Sequence, residues 1–378
     1  MKKMRFSVAA LASVALFAAC SSSTKTTAGS TAGATTAAAG ATTAAAGGAT
    51  TAAGGATTAA GAAATTGAAV TAAATAAGAS TADTVKATQA KGDITIAVIT
   101  HGDGGVFWSV AQKGAEAAGK DLGIKVQYYG ANNNAQDEAQ HIDQAVSAKV
   151  SGLVVSLADP AALSDSIKAA VAAGIPVITI NSGVDKFKEL GALTHVGQDE
   201  EQAGKGAGEK FKAAGVKHLL CVKQEQSNVG LEARCTGAGE TLGGKMDAIT
   251  TPGDKDPTGS EAAIKSALQA DPSIDGVFAT GPVGGHLAAQ AAGELNKKLT
   301  IGSVDLSTDI LNDIKAGTVA FTIDQQQYLQ GYLPVVFLYL DITNKNVVGG
   351  GLPVATGPGF VDKTNVAAVV ALVAAGTR

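Results

Sequence analysis

The sequence predicts an α/β fold of two doubly wound parallel-sheet lobes. Three observations carry that prediction. From Asp93 onward, short apolar strand patterns alternate regularly with amphipathic helical ones. The strands are apolar on both faces, the signature of parallel sheets covered by helices. There are also more strands than one ordinary sheet holds, and the helices come in two runs.

In order, "ITIAVIT" (94–100) alternates and is β-branched, so it reads as a strand, and the segment running to "DLG" at 121–123 reads as a helix. "KVQYY", "GLVVSL" and "PVITI" follow as strands, with "NAQDEAQHIDQAVSA" and "DPAALSDSIKAAVAAG" as helices between them. Asp159 before Pro160 marks a helix start. "DEEQAGKGAGEKFKAAG" opens the second run of helices, followed by strands at "HLLCV", "DAITT", "GVFAT", "TIGSV" and "VAFTI". The helix "TGSEAAIKSALQA" is expected to begin on Thr258 or Ser260, with Glu261 completing a capping box.

Two N-terminal segments stand outside this fold. Residues 1–20 combine Lys2, Lys3 and Arg5 with a short apolar run and small residues before Cys20, an export signal. "LFAAC" resembles a bacterial lipoprotein cleavage box, which makes Cys20 the candidate for lipid modification; the alternative is plain secretion with Cys20 unpaired. Residues 21–92 are Ala, Thr and Gly repeats with almost no charge, too poor in large apolar groups to offset ordering entropy, and read as a tether.

The net charge of −4 and the lack of a Lys/Arg cluster argue against nucleic acid as a partner. Beyond the export signal no apolar run is long enough to span a membrane, so membrane attachment is expected only through a lipid anchor. With Cys20 set aside, Cys221 and Cys235 remain. In an exported chain they are expected to form a disulfide rather than a metal pair, since they lack Cys-x-x-Cys spacing and nearby histidines.

Ligands of doubly wound sheets bind beyond the carboxyl ends of the strands. There the sequence places His101, Asp103, Phe107 and Trp108, the sole tryptophan; then Ser156 and Asp159; Asn181 and Ser182; Gln224 and Glu225; Gly281; Asp305; and Asp324 and Gln325. Carboxylates, amides and hydroxyls beside an aromatic pair suit a ligand made mostly of hydroxyls. Such groups donate and accept in pairs, and apolar C–H faces lie flat on aromatic rings. The alternative for Phe107 and Trp108 is that they cap the core at a helix start. "GDGG" (102–105) lacks the spacing and the lysine of a phosphate loop, and "DKDPTGSE" (254–261) is too short for a calcium loop. The five histidines are scattered over separate elements, and no acid and nucleophile pair can be singled out, so neither metal, cofactor nor enzymatic activity is expected.

The stretches "FWSVAQKGAEAAGKDLG", "AVSAKVSGLVVSLADPAAL", "AAGIPVITINSG", "HVGQDEEQAGKGAG", "RCTGAGE" and "FTIDQQQYLQGY" together resemble the periplasmic-binding-protein type I family, in particular the ribose- and galactose-binding-like receptors of sugar ABC transporters. The resemblance covers residues 93–378. It implies Rossmann-like lobes joined by a three-stranded hinge, with crossings near Gly197, near Gln325 and around Gly349 to Thr356. The lobes would be 93–197 plus 326–352 and 198–325 plus 353–378. It further implies a monomer that binds a sugar or polyol and delivers it to an ABC transporter permease, with a chemosensory or signalling receptor as the alternative. Residue by residue, the stacking pair falls at Phe107 and Trp108, and a strand-three hydrogen-bonding residue at Ser156. The strand-four end falls at Asn181 and Ser182, where the family usually has Asp-Arg. Arg234 matches the helix arginine, Asp305 the late aspartate and Gln325 the hinge glutamine, while Gly281 stands where asparagine is common. Asp103 joins this set from the first loop. These departures imply a ligand other than ribose: another pentose, a hexose or a linear polyol. The calcium loop of the galactose receptors is not matched, so no metal is implied.

Overall fold

Strand β1 (Thr95–Thr100) buries five of its six residues, and this sets the pattern for the fold. The computed structural model describes residues 93–378; the export signal, Cys20 and the tether expected over 21–92 lie outside the described residues. After β1 come α1 (Gly105–Leu122), β2 (Lys125–Gly130), α2 (Ala135–Ser147), β3 (Gly152–Ser156), α3 (Pro160–Ala172), β4 (Val177–Ile180) and β5 (Thr194–Gly197). A second series follows: α4 (Glu200–Ala213), β6 (His218–Lys223), α5 (Val229–Leu242), β7 (Lys245–Thr250), α6 (Pro257–Ala270), β8 (Gly276–Ala279), α7 (Pro282–Glu294), β9 (Thr300–Val304), α8 (Thr308–Ala316) and β10 (Phe321–Asp324). The chain then runs through α9 (Gln327–Asn344), β11 (Val354–Ala355), β12 (Gly359–Asp362) and α10 (Val370–Ala374).

The strands form two six-stranded sheets, ordered β11-β5-β4-β3-β1-β2 and β12-β10-β9-β8-β6-β7. All pairings are parallel except β10 with β12. Two α/β lobes result, each starting on the strand next to one edge of its sheet, filling that edge and then winding toward the other, as the alternation of strand and helix patterns predicts. The chain passes between sheets after β5, after β10 and between β11 and β12. The last passage differs from the expectation: Val354 and Ala355, placed with the second lobe from sequence, pair with Val196 and Gly197 of the first.

Helix α3 is capped by Asp159, which accepts from the Ala162 amide with Pro160 in the first turn. Helix α6 corrects the sequence reading. Its cap is Asp256, accepting from the Gly259 amide at 2.8 Å, with Pro257 next, so the helix begins earlier than Thr258 or Ser260. Cys221 on β6 and Cys235 on α5 are joined by a disulfide, with their Cα atoms 5.9 Å apart, as expected.

Each lobe contains one helix pair that packs through glycine. A Cβ on Gly331 of α9 would run into the Ala111 carbonyl of α1, and one on Gly114 into the Tyr328 carbonyl. In the second lobe a Cβ on Gly204 would strike the Arg234 carbonyl, and one on Gly237 the Glu201 carbonyl, so α4 and α5 nearly touch backbone to backbone.

Three outcomes follow for stability, all readable by chemical denaturation. Gly331→Ala overpacks the α1–α9 seam and lowers stability by about 1–3 kcal/mol. Gly293→Ala, on the exposed face of α7 with nothing near its Cβ, raises it by about 0.5–1 kcal/mol through helix propensity. Replacing Cys221 and Cys235 by Ala removes the closure of a loop of separation 14 and lowers stability by about 2–4 kcal/mol.

Candidate ligand-binding site

The carboxyl ends of both sheets face one cavity of ≈ 300 Å³ between the lobes. Asp103, Phe107, Trp108, Asn181, Arg234, Asp305 and Gln325 all line it, and Ser156 and Ser182 do not.

The aromatic wall is built by the loop after β1. Gly104 and Gly105 take φ of +61° and +64°, which turns the chain sharply into α1. Gly102 has no room for a Cβ, because the Trp108 indole lies against it. Trp108 is 9% exposed and packs edge-on to both His101 (centroids 4.8 Å) and Phe107 (4.7 Å). Its inner face joins the core of Ile96, Val98, Ala111 and Ile180 while the residue also lines the cavity, so it serves as core cap and cavity wall at once.

Opposite stands Arg234 of α5, 3% exposed. Its Nε and Nη2 donate to the two carboxylate oxygens of Glu200 at 2.5 and 2.9 Å, and Nη1 donates to the Thr280 carbonyl at 2.7 Å. A guanidinium has five N–H groups, so one on Nη1 and one on Nη2 stay available to the cavity. The glycine seam makes this geometry: Glu200 opens α4, Arg234 sits on α5, and the helices approach closely enough for a bidentate bond.

At the crossings, Gln325 is 1% exposed and joins the lobes. Its Nε2 donates to Asp305 Oδ1 at 2.8 Å, and its Oε1 accepts from Asn181 Nδ2 at 3.3 Å and Gln330 Nε2 at 3.1 Å. Asn181 and Asp305 both have left-handed backbones (φ 68° and 69°), which ends their strands abruptly. Burial pushes the Asp305 carboxyl up to about 7, against the opposing charge of Arg234.

Ser156 and Ser182 act one step back. Ser156 Oγ accepts from the His101 amide (2.7 Å), contacts His101 Nδ1 (2.8 Å) and donates to Glu138 Oε1 (2.9 Å). With the hydroxyl proton on Glu138, His101 Nδ1 carries a proton and Nε2 is bare. Asn228 Nδ2 of the other lobe lies 3.4 Å from that Nε2 and can donate to it. Burial holds His101 below the usual histidine range and so keeps it neutral. Ser182 Oγ lies 3.0 Å from Asn181 Oδ1 and, across the cleft, 2.9 Å from Asn228 Oδ1, and its single proton is shared between these two acceptors.

Also lining the cavity are His101, which the strand-end reading named without assigning it to the ligand, and Asn132, Asn133, Asn228, Asp254 and Lys255, which it did not select. Asn132 and Asn133 have left-handed backbones after β2, Asp254 and Lys255 follow β7, and Asn228 caps α5. The carboxyl-end rule, applied to β2 and β7 as well, identifies four of the six. Gly281 also has a structural reason: a Cβ there would meet the Gln224 side chain, which fills the space and accepts from Thr280 Oγ1 at 2.6 Å.

Glu138 is 1% exposed, and its Oε2 has no partner among the described residues. Burial pushes its carboxyl up to about 8, so the folded chain holds it protonated at neutral pH. A raised carboxyl pKa contributes stability below the unfolded value that is lost as pH rises toward the folded one. Stability of the wild type should therefore fall relative to Glu138→Gln between about pH 4.5 and pH 8, by at most about 1.4 kcal/mol per pH unit. Urea titrations at successive pH values measure it, and parallel curves for the two proteins would show that Glu138 is ionised in the fold.

Comparison with known proteins agrees with this geometry. The family described as "Periplasmic binding protein domain" matches residues 96–346. Among solved structures, a carbohydrate transporter from Acidothermus cellulolyticus in complex with myo-inositol is 43% identical, covers 75% of this chain and 99% of its own, and superposes with a TM-score of 0.73. The xylose/arabinose-binding protein XylF of Sulfolobus acidocaldarius is 25% identical over 291 residues, 72% of this chain and 71% of that protein. The ribose import binding protein RbsB of Bacillus subtilis is 27% identical over 230 residues, 60% of this chain and 74% of that protein. These relatives are binding proteins rather than enzymes, and no helix among the described residues is long and apolar enough to cross a membrane. With two α/β lobes, three crossings and a polar cavity between them, the chain belongs to the periplasmic binding protein family.

Proposed function

We propose that the chain is an extracytoplasmic receptor that captures a sugar or polyol, with a cyclic polyol such as inositol foremost, and delivers it to an ABC transporter permease. It acts as a monomer held at the membrane by a lipid on Cys20. The observation that carries this reading is the pairing of an apolar wall, Phe107 and Trp108, with buried polar groups around the same cavity, Asn181 beside it in the first lobe and Arg234 and Asp305 facing it from the second. A flat polyhydroxylated ring has C–H faces for the first and hydroxyls for the second. The 43% likeness to a carbohydrate transporter holding myo-inositol favours a ring polyol over the linear ones. Closure on the ligand is the hinge motion of such receptors, and the contacts between His101 or Ser182 and Asn228 are those a closed form makes.

Titrating the soluble part, from about Asp93, with myo-inositol while following Trp108 emission should give a saturable change together with a thermal shift. Silence in both, across inositols, pentoses and hexoses, would remove the ligand class.

Arg234→Ala should abolish binding and also lower stability by about 3–5 kcal/mol, since Glu200 is left buried without its partner. The double variant Arg234→Ala/Glu200→Gln should regain much of that stability and none of the binding. Recovered binding in the double variant would show that Arg234 serves the fold alone.

A further inference from the structure

A second cavity, of ≈ 580 Å³, adjoins the first and is the larger of the two. His101, Asn133, Gln224 and Asn228 line both, so the cavities share a wall. Asn181, Asp305 and Gln325 line only the first. The second draws instead on Ala135 and Glu138 of α2, Ala158 after β3, Ser227 after β6 and Thr251 after β7. Strands β2 and β7 are the sheet edges opposite those at the crossings. The second cavity therefore lies between the lobes on the side of the cleft away from the hinge.

Glu138 gives this cavity a binding group. It lines the cavity and is 1% exposed. Its Oε1 accepts from Ser156 Oγ at 2.9 Å, and its Oε2 has no partner among the described residues. Burial raises this carboxyl to about 8, so at neutral pH it keeps its proton. With Oε1 engaged by Ser156, that proton lies on Oε2, which makes it a buried donor in want of an acceptor. A buried donor left unpaired is costly and uncommon. Around it stand the amides of Asn133, Gln224 and Asn228 and the hydroxyls of Ser227 and Thr251. Such groups donate and accept in the pattern that hydroxyls need. Ser156 also bonds the His101 amide, so one hydrogen-bonded chain runs from Glu138 to a residue on the shared wall.

We infer that the second cavity binds a second polyhydroxylated unit beside the ring held in the first, with one of its oxygens accepting from Glu138. The unit is either a glycosyl group on the same ligand or a separate molecule, and the chemistry recognised is the same. This rests on the reading of the first cavity as a polyol site and adds a subsite to it.

The test is isothermal titration of the chain from Ser21 onward with myo-inositol and with galactinol, its galactosyl glycoside. Galactinol should bind one per chain and at least about tenfold tighter than myo-inositol. Ala135→Trp places an indole in the second cavity from a half-buried position in the first turn of α2 that does not line the first. It should remove the preference for galactinol and leave myo-inositol binding unchanged, with folding checked by its melting curve. Ser227→Trp, from an exposed position that lines only the second cavity, serves where the first variant does not fold. Two myo-inositol molecules per chain, reduced to one by the same substitution, would also support the inference and assign the cavity to a separate molecule. One myo-inositol per chain with galactinol no tighter would overturn the inference and leave the polyol reading standing. A preference for galactinol that survives a folded tryptophan variant would overturn it as well. Binding of neither ligand would overturn both.

Discussion

A guanidinium removed from water is tolerable only beside a fixed counter-charge, and the cleft depends on how that condition is met for Arg234. Glu200 supplies the charge from the start of α4, and Arg234 reaches it from α5 because Gly204 and Gly237 let the two backbones close on each other. A larger residue in the seam would separate the pair, strand both charges and withdraw the two N–H groups that face the ligand. The disulfide from Cys235, next to Arg234, to β6 fixes the same helix to the sheet. Packing, covalent linkage and electrostatics thus all converge on one side chain.

The lobes are coupled by hydrogen bonds at the crossings. Asn181, Gln325 and Asp305 link the first lobe, the crossing and the second lobe, while Thr356 on the third crossing donates to the Gln325 carbonyl at 2.8 Å. Across the opening, Asn228 meets Ser182 and His101. Each of these bonds is individually modest. That suits lobes that must separate to admit and release a ligand, and whose closed form the ligand itself helps to hold.

Most of the fold was legible because its strands are buried on both faces and its helices are amphipathic. What escaped was short: β5 has 4 residues, β11 has 2, and β12 has 4, each at or near a sheet edge, where too little periodicity accumulates to be seen. The start of α6 was missed because Asp256-Pro257 caps it ahead of the Ser and Thr that drew attention. In the site, residues at strand ends were found, since the carboxyl-end rule is topological. Ser156 and Ser182 were selected by the same rule, yet they turn inward to orient His101 and Asn181 and Asn228. Asn228, the cap of α5, reaches the cleft only through the meeting of two lobes, a relation that no local pattern encodes.

The most direct measurement is a crystal structure of residues 93–378 grown with myo-inositol. The account predicts a ring lying against Trp108 within hydrogen-bonding distance of Arg234, Asp305 and Asn181, with Asn228 still bonded to Ser182 across the closed cleft. A ring bound elsewhere on either lobe, or a cleft left empty at saturating inositol, would contradict it.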